Sequence, residues 1–266
     1  MKSLKAKVHK ITLGTKEWAD SNVNIFHGCS NDCVYCYAKK MAIRFGRRTK
    51  ENWKFMELNE KAFDKNYGKR KGRIMFPTSH DITFGTLVFN ILALQKMLMA
   101  GNEVLITTKP DPKCILGICY DLKPWKEQIQ FRFTITSKDN IILKKYEPNA
   151  PLYEDRMVSL QLAFYKGFKT SVSIEPFLDK DPIPLINKRA PYVTETIWIG
   201  KLNYQKTEFN TKENVEKVIR SLEKLPENIK SKIRLKDSIR NDKNKQNLDN
   251  ISLPTAHAKP GGTDQK

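Results

Sequence analysis

The chain has 266 residues, and its 48 Lys and Arg against 29 Asp and Glu give a formal net charge of +19. This length fits one large α/β domain or two small ones, and no apolar run of about 18 residues predicts a membrane-spanning helix. The basic start at Met1–Lys7 lacks the apolar segment of a signal peptide. Five cysteines, three of them clustered, do not form a disulfide framework. We therefore expect a cytoplasmic protein with reduced thiols and no membrane partner.

Short apolar runs bounded by Gly, Pro or polar residues predict the β-strands. They are expected at Val23–Phe26, Arg73–Phe76, Glu103–Thr108, Gln130–Thr136, Phe168–Ile174, Thr196–Ile199 and, as a last short strand, Lys232–Leu235. Apolar residues at helical spacing predict the helices between them. These are expected from about Ala38, over Thr86–Met99 (ended by Gly101), Lys113–Asp121, Pro151–Lys166 (ended by Gly167) and Thr211–Leu222.

Alternating strands and helices imply parallel strands with right-handed crossovers. Six such units favour an α/β fold of the open, partial (β/α)6 barrel type over a full eight-unit barrel. We predict an N-terminal extension over residues 1–22 and a barrel domain over 23–238 that contains a basic helical region at 39–73. After it, residues 239–266 are polar and predict a mobile, disordered tail.

Three cysteines lie within eight residues, at Cys29, Cys33 and Cys36, with the spacing C-x3-C-x2-C. Cubane iron–sulfur clusters normally have four cysteine ligands. Three thiolates can hold only three corners of a [4Fe–4S] cluster and leave one iron open to bind another molecule. The cysteines follow the first predicted strand, at the edge of the barrel where parallel barrels place their sites.

Zinc is the alternative interpretation of these thiols. His27 could complete a Cys3His site, or Cys33 and Cys36 could pair with Cys114 and Cys119. Structural zinc sites usually combine two separated ligand pairs, and the apolar neighbours of Cys114 and Cys119 favour buried thiols. The spacing therefore favours a cluster over zinc.

The other predicted strands also end in polar residues that could surround one mouth of the barrel. They are Thr78, Ser79, His80 and Asp81; Thr107, Thr108 and Lys109; Thr134, Thr136 and Ser137; Glu175; and Lys201 and Asn203. Convergent polar groups over an apolar barrel are typical of a ligand site, although strand ends that meet water are often polar. We select Glu175 and Asn203 as further cofactor-binding candidates on this ground.

The segment from Lys39 to Arg73 carries thirteen Lys and Arg against four Asp and Glu, a net charge of +9. Five aromatic residues are interleaved with these cations: Phe45, Trp53, Phe55, Phe63 and Tyr67. Cations suit phosphates and rings suit bases, so the segment predicts a possible nucleic-acid partner. The alternative is a set of solvated basic helices whose aromatic side chains face the core.

The cysteine motif, with Tyr35 before its last cysteine, resembles the cluster motif of the radical S-adenosylmethionine (SAM) enzymes. Three further blocks resemble the spore photoproduct lyase-like branch of that superfamily, often labelled DNA repair photolyase. They are Pro77–Asp81, Thr107–Lys109, and Glu147–Pro151 followed by Arg156. The resemblance covers roughly residues 24 to 203.

The resemblance implies that the three cysteines bind a [4Fe–4S] cluster whose open iron binds SAM. Reduction by an external one-electron donor of the flavodoxin or ferredoxin type would then give a 5′-deoxyadenosyl radical, which abstracts hydrogen from a substrate. It further implies that Tyr35 lies near the adenine, that Thr78 or Ser79 and Lys109 contact the methionine part of SAM, and that Thr134 contacts its ribose or carboxylate side.

Two departures from that branch are visible. Pro77 occupies the position where the spore lyase has a cysteine that relays a hydrogen atom, so the resemblance does not extend to that relay. The basic insert at 44–71 has no counterpart that we can place. A non-enzymatic zinc- or cluster-bearing nucleic-acid-binding protein is the alternative function.

Overall fold

A computed structural model describes residues 14–202 and 205–244. The strands in this part of the chain are β1 (Ser21–Asn22), β2 (Phe26–His27), β3 (Glu57–Leu58), β4 (Ile74–Phe76), β5 (Val104–Thr108), β6 (Ile129–Thr134), β7 (Lys169–Ile174), β8 (Ile197–Ile199) and β9 (Ile233–Leu235). The α-helices are α1 (Tyr37–Arg44), α2 (Glu60–Phe63), α3 (Leu87–Met99), α4 (Pro112–Asp121), α5 (Asn140–Tyr146), α6 (Tyr153–Tyr165), α7 (Ile183–Arg189), α8 (Lys212–Glu223), α9 (Glu227–Lys230) and α10 (Asp237–Asn244).

Seven strands form one parallel sheet in the order β1-β4-β5-β6-β7-β8-β9. Each strand pairs in parallel with its neighbour in this order. For example, Ile106 on β5 pairs with Phe76 on β4 and with Phe131 on β6. The sheet curls and helices surround it, so the predicted α/β partial barrel is confirmed. Six of the seven sheet strands, β4 to β9, overlap predicted strands, including the short last one, whereas β1 lies in the predicted N-terminal extension.

The first strand is displaced from its predicted position. Strand β1 ends at Asn22, and the backbone leaves the sheet at Asn24 because that side chain takes over the hydrogen bonding. Its amide oxygen accepts from the backbone N–H groups of Thr78 and Ser79, at 2.7 and 2.8 Å. The next residues form β2, which pairs antiparallel with β3 outside the main sheet.

One large hydrophobic core lies between the sheet and its helices, and all five residues of β5 are buried. Burial of a whole strand is typical of parallel sheets, which are covered on both faces. The predicted ends of two helices are confirmed by left-handed glycines, Gly101 and Gly167, both with φ of +77°. Cys114 and Cys119 on α4 are buried in this core, as predicted.

The basic segment is less helical than predicted. Between α1 and β4 the structure contains only the four-residue helix α2 and the two-residue strand β3, and the rest is turns and irregular backbone. The predicted tail begins inside α10, and its residues from 245 onward lie outside the described part of the chain, as do residues 1–13. None of the described helices combines the length and apolar character that crossing a membrane requires.

Candidate functional site

The three clustered cysteines lie in the connection between β2 and α1, which we call the cysteine loop (residues 29–36). Its first residue is tied to the basic segment, because the Cys29 N–H donates to the Trp53 carbonyl at 2.9 Å. Its last residue is the N-cap of α1, where the Cys36 Sγ accepts from the Lys39 N–H at 3.4 Å. Between them Asp32 has a left-handed φ of 46° and pairs with Lys39 at 2.6 Å. The loop is therefore fixed at both ends and at its turn.

The thiols of this loop lie in a low-dielectric environment. Cys29 and Cys33 are buried and Cys36 is half-buried. Burial raises the pKa of Cys29 to about 12, and it raises the pKa of Cys33 further, against a lowering effect of Lys109 on both. Cys36 adds to the upward shift of both pKa values. The Cys29 and Cys33 thiols therefore favour the protonated form, and a bound metal would have to displace their protons.

The donor set fits a metal–sulfur group in its chemistry. It consists of three thiols within eight residues, close enough for their charges to affect one another. Within residues 14–202 and 205–244, however, no three His, Cys, Asp or Glu side chains are arranged so that they could hold a metal ion. The cluster stays a prediction that rests on the loop and its ligand types.

The zinc alternatives receive no additional ligand from the described residues. His27 is exposed, whereas Cys114 and Cys119 are 1% and 3% exposed in the core. Burial raises the pKa of each of these two thiols to about 12, with no contribution from the cysteine loop. Neither arrangement assembles a fourth ligand beside the loop.

A buried ion pair supports the loop from below. The Tyr35 hydroxyl donates to Glu147, and the Thr136 hydroxyl donates to the same carboxylate oxygen at 2.9 Å. The second oxygen of Glu147 accepts from Arg156 at 2.5 Å, with both side chains fully buried. Burial raises the pKa of Glu147, but Arg156 and Lys109 lower it more, so that it lies below its ordinary value. Glu147 is therefore an ionised acceptor beneath the cysteine loop.

A second buried carboxylate, Asp81, joins the ends of β4 and β5 to the loop. It accepts from the Asn31 side chain at 2.8 Å, from the Thr108 hydroxyl, and from the Lys109 N–H at 3.0 Å. Burial raises its pKa, and Lys109 partly offsets this shift. Because Asn31 lies between two of the cysteines, Asp81 fixes the middle of the loop.

Lys109 extends its ammonium toward the same group of residues. Its Nζ lies 5.6 Å from the centroid of the Tyr35 ring. Burial lowers its pKa, but Cys33, Glu147 and Asp81 raise it more, so the net shift is upward. Lys109 is thus a half-buried cation that neutralises the carboxylates around the loop and remains charged at neutral pH.

The end of α5 and the residues after it form hydrogen bonds with the backbone of the cysteine loop. The Val34 N–H donates to the Tyr146 carbonyl at 2.9 Å, and the Asn149 side chain donates to the Ser30 carbonyl at 2.9 Å. Together with Glu147, these contacts mean that residues 146–149 hold both halves of the loop. The Glu-Pro block that the sequence analysis singled out therefore supports the cysteines.

Thr78 and Ser79 lie at the mouth, after β4. Asn24 holds both backbone N–H groups, and its amide also donates to the Thr78 hydroxyl at 2.7 Å. The Tyr37 hydroxyl, next to the last cysteine, donates to the Thr78 carbonyl at 2.8 Å. These contacts place the Thr-Ser pair beside the start of α1.

The remaining candidates are less closely connected to the loop. Thr134 is half-buried at the end of β6, and its carbonyl accepts from Arg156 at 3.3 Å. Glu175 follows β7 and lies 3.9 Å from Lys236, in a different group of charges. Burial raises the pKa of Glu175 to about 7, and Lys236 lowers it only in part. Asn203 lies outside the described residues.

That second group occupies the inner face of the sheet. The Arg132 guanidinium lies 4.6 Å from the Trp18 ring and 5.3 Å from the Trp198 ring. Lys236 lies 4.4 Å from the Trp18 ring and pairs with Glu17 at 3.1 Å. The short 3-10 helix Gly14–Glu17 therefore brings the start of the described chain against β6, β8 and the residue after β9.

Sequence reasoning missed two asparagines at this site. Asn24 interrupts the apolar run Val23–Phe26, and this single polar residue was a signal that the strand ends there. Asn31 had no such signal, since a polar residue in a cysteine-rich loop is ordinary. Its partner Asp81 is fifty residues away, and only the fold brings the two together.

No family model matches the chain, and no curated protein matches it. Among solved structures, spore photoproduct lyase complexed with dinucleoside spore photoproduct is similar at a TM-score of 0.48 and 14% identity, over 75% of this chain and 59% of that one. A cysteine-to-alanine mutant of that lyase with the same dinucleoside gives 0.47 and 12%, over 75% and 64%. A double mutant with bound AdoMet and the dinucleoside gives 0.42 and 13%, over 88% and 67%.

The chain thus spans about three fifths of the length of the first of these structures. At such identities the likeness concerns the fold alone, and the TM-scores support no argument about substrate, cofactor or reaction.

Proposed function

We propose that the chain is a radical SAM enzyme, in which Cys29, Cys33 and Cys36 hold a [4Fe–4S] cluster. The observation that carries the proposal is a loop with three thiols, two of them buried, at the carboxyl edge of a parallel partial barrel. Asp81 and Glu147, which lie after β4 and β6 in the chain, accept hydrogen bonds from this loop, and the Lys109 Nζ, after β5, lies 5.6 Å from the ring of Tyr35 in the loop. Three thiolates leave one iron of a cubane cluster open, which suits a cofactor that binds through that iron.

When bound, such a cluster would pass one electron from an external flavodoxin- or ferredoxin-type donor to the sulfonium of SAM, which gives a 5′-deoxyadenosyl radical able to take a hydrogen atom from a substrate. The residues of the chain supply position and charge. Glu147 fixes Tyr35, the residue before the last cysteine, through its hydroxyl. Lys109 stays protonated beside Cys33 and offsets negative charge on the thiolate side. Burial of two of the three thiols keeps water from this side of the loop.

The SAM contacts are part of the proposal. Thr78 and Ser79 lie at the mouth beside the start of α1, and Lys109 presents an ammonium that suits a carboxylate. Thr134 lies at the end of the neighbouring strand β6. Tyr35 would pack near the adenine. Glu175 and Asn203 remain candidates from their positions after later strands.

Anaerobic reconstitution with iron and sulfide tests the proposal. With SAM and dithionite, the reconstituted protein should show broad visible absorption and form 5′-deoxyadenosine. The triple variant Cys29→Ala/Cys33→Ala/Cys36→Ala should lose both the iron and the product. The double variant Cys114→Ala/Cys119→Ala is the matched control and should keep both. Colourless protein with one tightly bound zinc per chain would reject the enzyme and favour a zinc-bearing binding protein.

A further inference from the structure

A pocket of about 250 Å³ lies beside the cysteine loop, between β2, the first turns of α1 and the irregular segment that follows α1. Its lining combines rings, a thioether, cations and a hydroxyl. The lining residues that matter here are Tyr37, Met41, Arg47, Arg48, Trp53 and Ser79. The SAM contacts proposed above use only Ser79 of these, so most of the pocket has no role in cofactor binding.

The charge of the pocket is positive and only partly balanced. Arg48 pairs with Glu57 at 2.7 Å, and the nearby Asp32 pairs with Lys39. Arg47 makes no ion pair with any residue in the described parts of the chain; its guanidinium lies 5.8 Å from the Phe45 ring. The Arg47 guanidinium is therefore available to bind an anionic ligand in the pocket, and guanidinium groups bind phosphates well.

Two exposed rings lie on the same segment as Arg47 and Trp53, outside the lining of the pocket. Phe45 and Phe55 are 60% and 58% exposed, which is unusual for such large apolar side chains. A second arginine, Arg44, lies 5.8 Å from the Phe45 ring, and Lys54 lies 5.5 Å from the Phe55 ring. Exposed aromatic faces beside cations are how proteins bind unstacked bases and the backbone that joins them.

The structure thus divides the five aromatic residues of the basic segment between the two interpretations that its sequence allowed. Trp53 and Tyr67 are buried, and Phe63 packs against the core. Phe45 and Phe55 instead face solvent. Only the second pair is free to stack on a ligand.

The pocket lies directly beside the cysteine loop. Gly28 lines the pocket and directly precedes Cys29, whose N–H donates to the carbonyl of Trp53. Ser79 lines it from the mouth of the barrel. A group bound in this pocket would therefore lie against the cysteine loop, within the same site.

We propose that this pocket binds one nucleotide of a single-stranded nucleic acid, with a phosphate at Arg47 and with neighbouring bases stacked on Phe45 and Phe55. A duplex does not fit, because its bases are already stacked and cannot reach these rings. This inference deepens the proposed function by naming the substrate class, and it rests on that function only in calling the nucleic acid a substrate.

Fluorescence anisotropy with labelled oligonucleotides tests the pocket on the full chain without SAM. Single-stranded DNA, single-stranded RNA and a duplex of the same DNA sequence are the three arms. We expect binding to a single strand that weakens with rising salt. The variant Phe45→Ala/Arg47→Ala should lower that affinity about tenfold or more, and both side chains are exposed enough that the fold should be unaffected.

The control variant is Lys212→Ala/Lys217→Ala. Both residues are exposed on α8, which joins β8 to β9 at the other end of the strand order. This variant loses two positive charges where the pocket variant loses one, so a control affinity within about twofold of the parent shows that net charge does not explain the effect. Preference for either DNA or RNA supports the proposal and identifies the sugar.

Equal weakening in the two variants, or duplex binding as tight as single-strand binding, would overturn the proposal. The outcome is independent of the enzyme assay. Oligonucleotide binding without deoxyadenosine formation would remove the radical SAM assignment and keep the pocket, and the reverse result would keep the enzyme and remove the pocket.

Discussion

Glu147 is the side chain through which most of the site is connected. It is fully buried with Arg156 and accepts from Tyr35 and Thr136. A buried pair is stabilising only while both partners are present, because a lone buried charge has lost its hydration without compensation. The cysteine loop therefore depends on a carboxylate that lies more than a hundred residues further along the chain.

The variant Glu147→Gln should lower the free energy of unfolding by about 3–5 kcal/mol, since Arg156 would keep its charge without a counterion. Urea denaturation measures this loss. Glu154→Gln is the matched control, because Glu154 is exposed and accepts from the Asn140 side chain at 2.9 Å, and it should change stability by no more than about 0.5 kcal/mol. Adding Arg156→Met to Glu147→Gln should restore part of the loss; if it deepens the loss instead, the pair is not the cause.

Two residues with opposite pKa shifts, the buried His80 and the half-buried Glu175, should give the protein opposing responses to pH. Burial lowers the pKa of His80 to about 4 from 6.5, and burial raises the pKa of Glu175 to about 7 from 4.5. Below about pH 6.5 His80 binds a proton in the unfolded state, whereas in the folded state it stays neutral down to about pH 4. The contribution of His80 to the free energy of unfolding is therefore lost as the pH falls through this window. Folded Glu175 keeps a proton that the unfolded state releases above about pH 4.5, so its contribution is lost as pH rises to about 7.

Each contribution is of the order of 3 kcal/mol, and in the parent protein they largely cancel. Between pH 4.5 and 7, His80→Gln should therefore become less stable with rising pH, and Glu175→Gln should become more stable. Urea denaturation across this range measures both slopes. Two variants with the slope of the parent would contradict the assignment of these shifts to His80 and Glu175.

At the scale of the elements, the connection from β2 to α1 depends on a backbone approach that only glycine permits. Gly28 has φ of +83°, and a Cβ there would lie 2.3 Å from the Phe55 carbonyl oxygen and 2.6 Å from that of Trp53. Both obstacles are backbone atoms of the segment that covers the cysteine loop. They can move only if that segment moves.

Gly28→Ala should therefore cost about 3 kcal/mol or more, since it combines a positive φ with a backbone clash. Gly46→Ala is the matched control, because Gly46 has φ of +64° and nothing within 4 Å of the added Cβ; it should cost only about 1 kcal/mol. Urea denaturation measures the free energy of unfolding of both variants. The difference between them gives the cost of the backbone clash at Gly28, because both positions share the positive φ. Equal losses of stability in the two variants would contradict this prediction, because they would show that the backbone at Trp53 and Phe55 moves away from the added Cβ at little cost.

The elements with a strong period were predictable from the sequence, and the irregular ones were not. Strands β5 and β7 and helices α3 and α6 lie within two residues of their predicted bounds, because apolar runs and their ending glycines or prolines define them. The first strand and the basic segment were predicted less well. In the first case the Asn24 side chain replaces ladder hydrogen bonds, and in the second a surface with few apolar residues has no period from which to infer structure.

At the scale of the whole molecule, two distant parts of the described chain meet inside the barrel. The Glu17 side chain is 1% exposed and pairs with Lys236 at 3.1 Å and with Arg240 at 2.7 Å. Lys236 is itself buried, and its only other carboxylate among the described residues is Glu175 at 3.9 Å. No sequence pattern could predict this contact, because nothing local to either residue depends on it.

The variant Glu17→Gln should lower the free energy of unfolding by about 3 kcal/mol, because the buried ammonium of Lys236 loses its nearest counterion. Glu208→Gln provides the comparison, since Glu208 forms an exposed pair with Lys180 at 2.7 Å and exposed pairs contribute at most about 1 kcal/mol. Thermal or urea unfolding measures both. A loss for Glu17→Gln as small as that for Glu208→Gln would show that water already screens the inner group.

The pairing of Glu17 with Arg240, across 223 residues, also sets an order of events during synthesis. A nascent chain leaves the ribosome with its earlier residues first, and domains tend to fold as units once their parts have emerged. The carboxylate at position 147 is synthesised long before β9, whereas the cations at 236 and 240 are synthesised last among the members of these two charged groups. The ion pairs of Glu17 inside the barrel therefore form only after translation has passed residue 240, so they belong to the last step of folding.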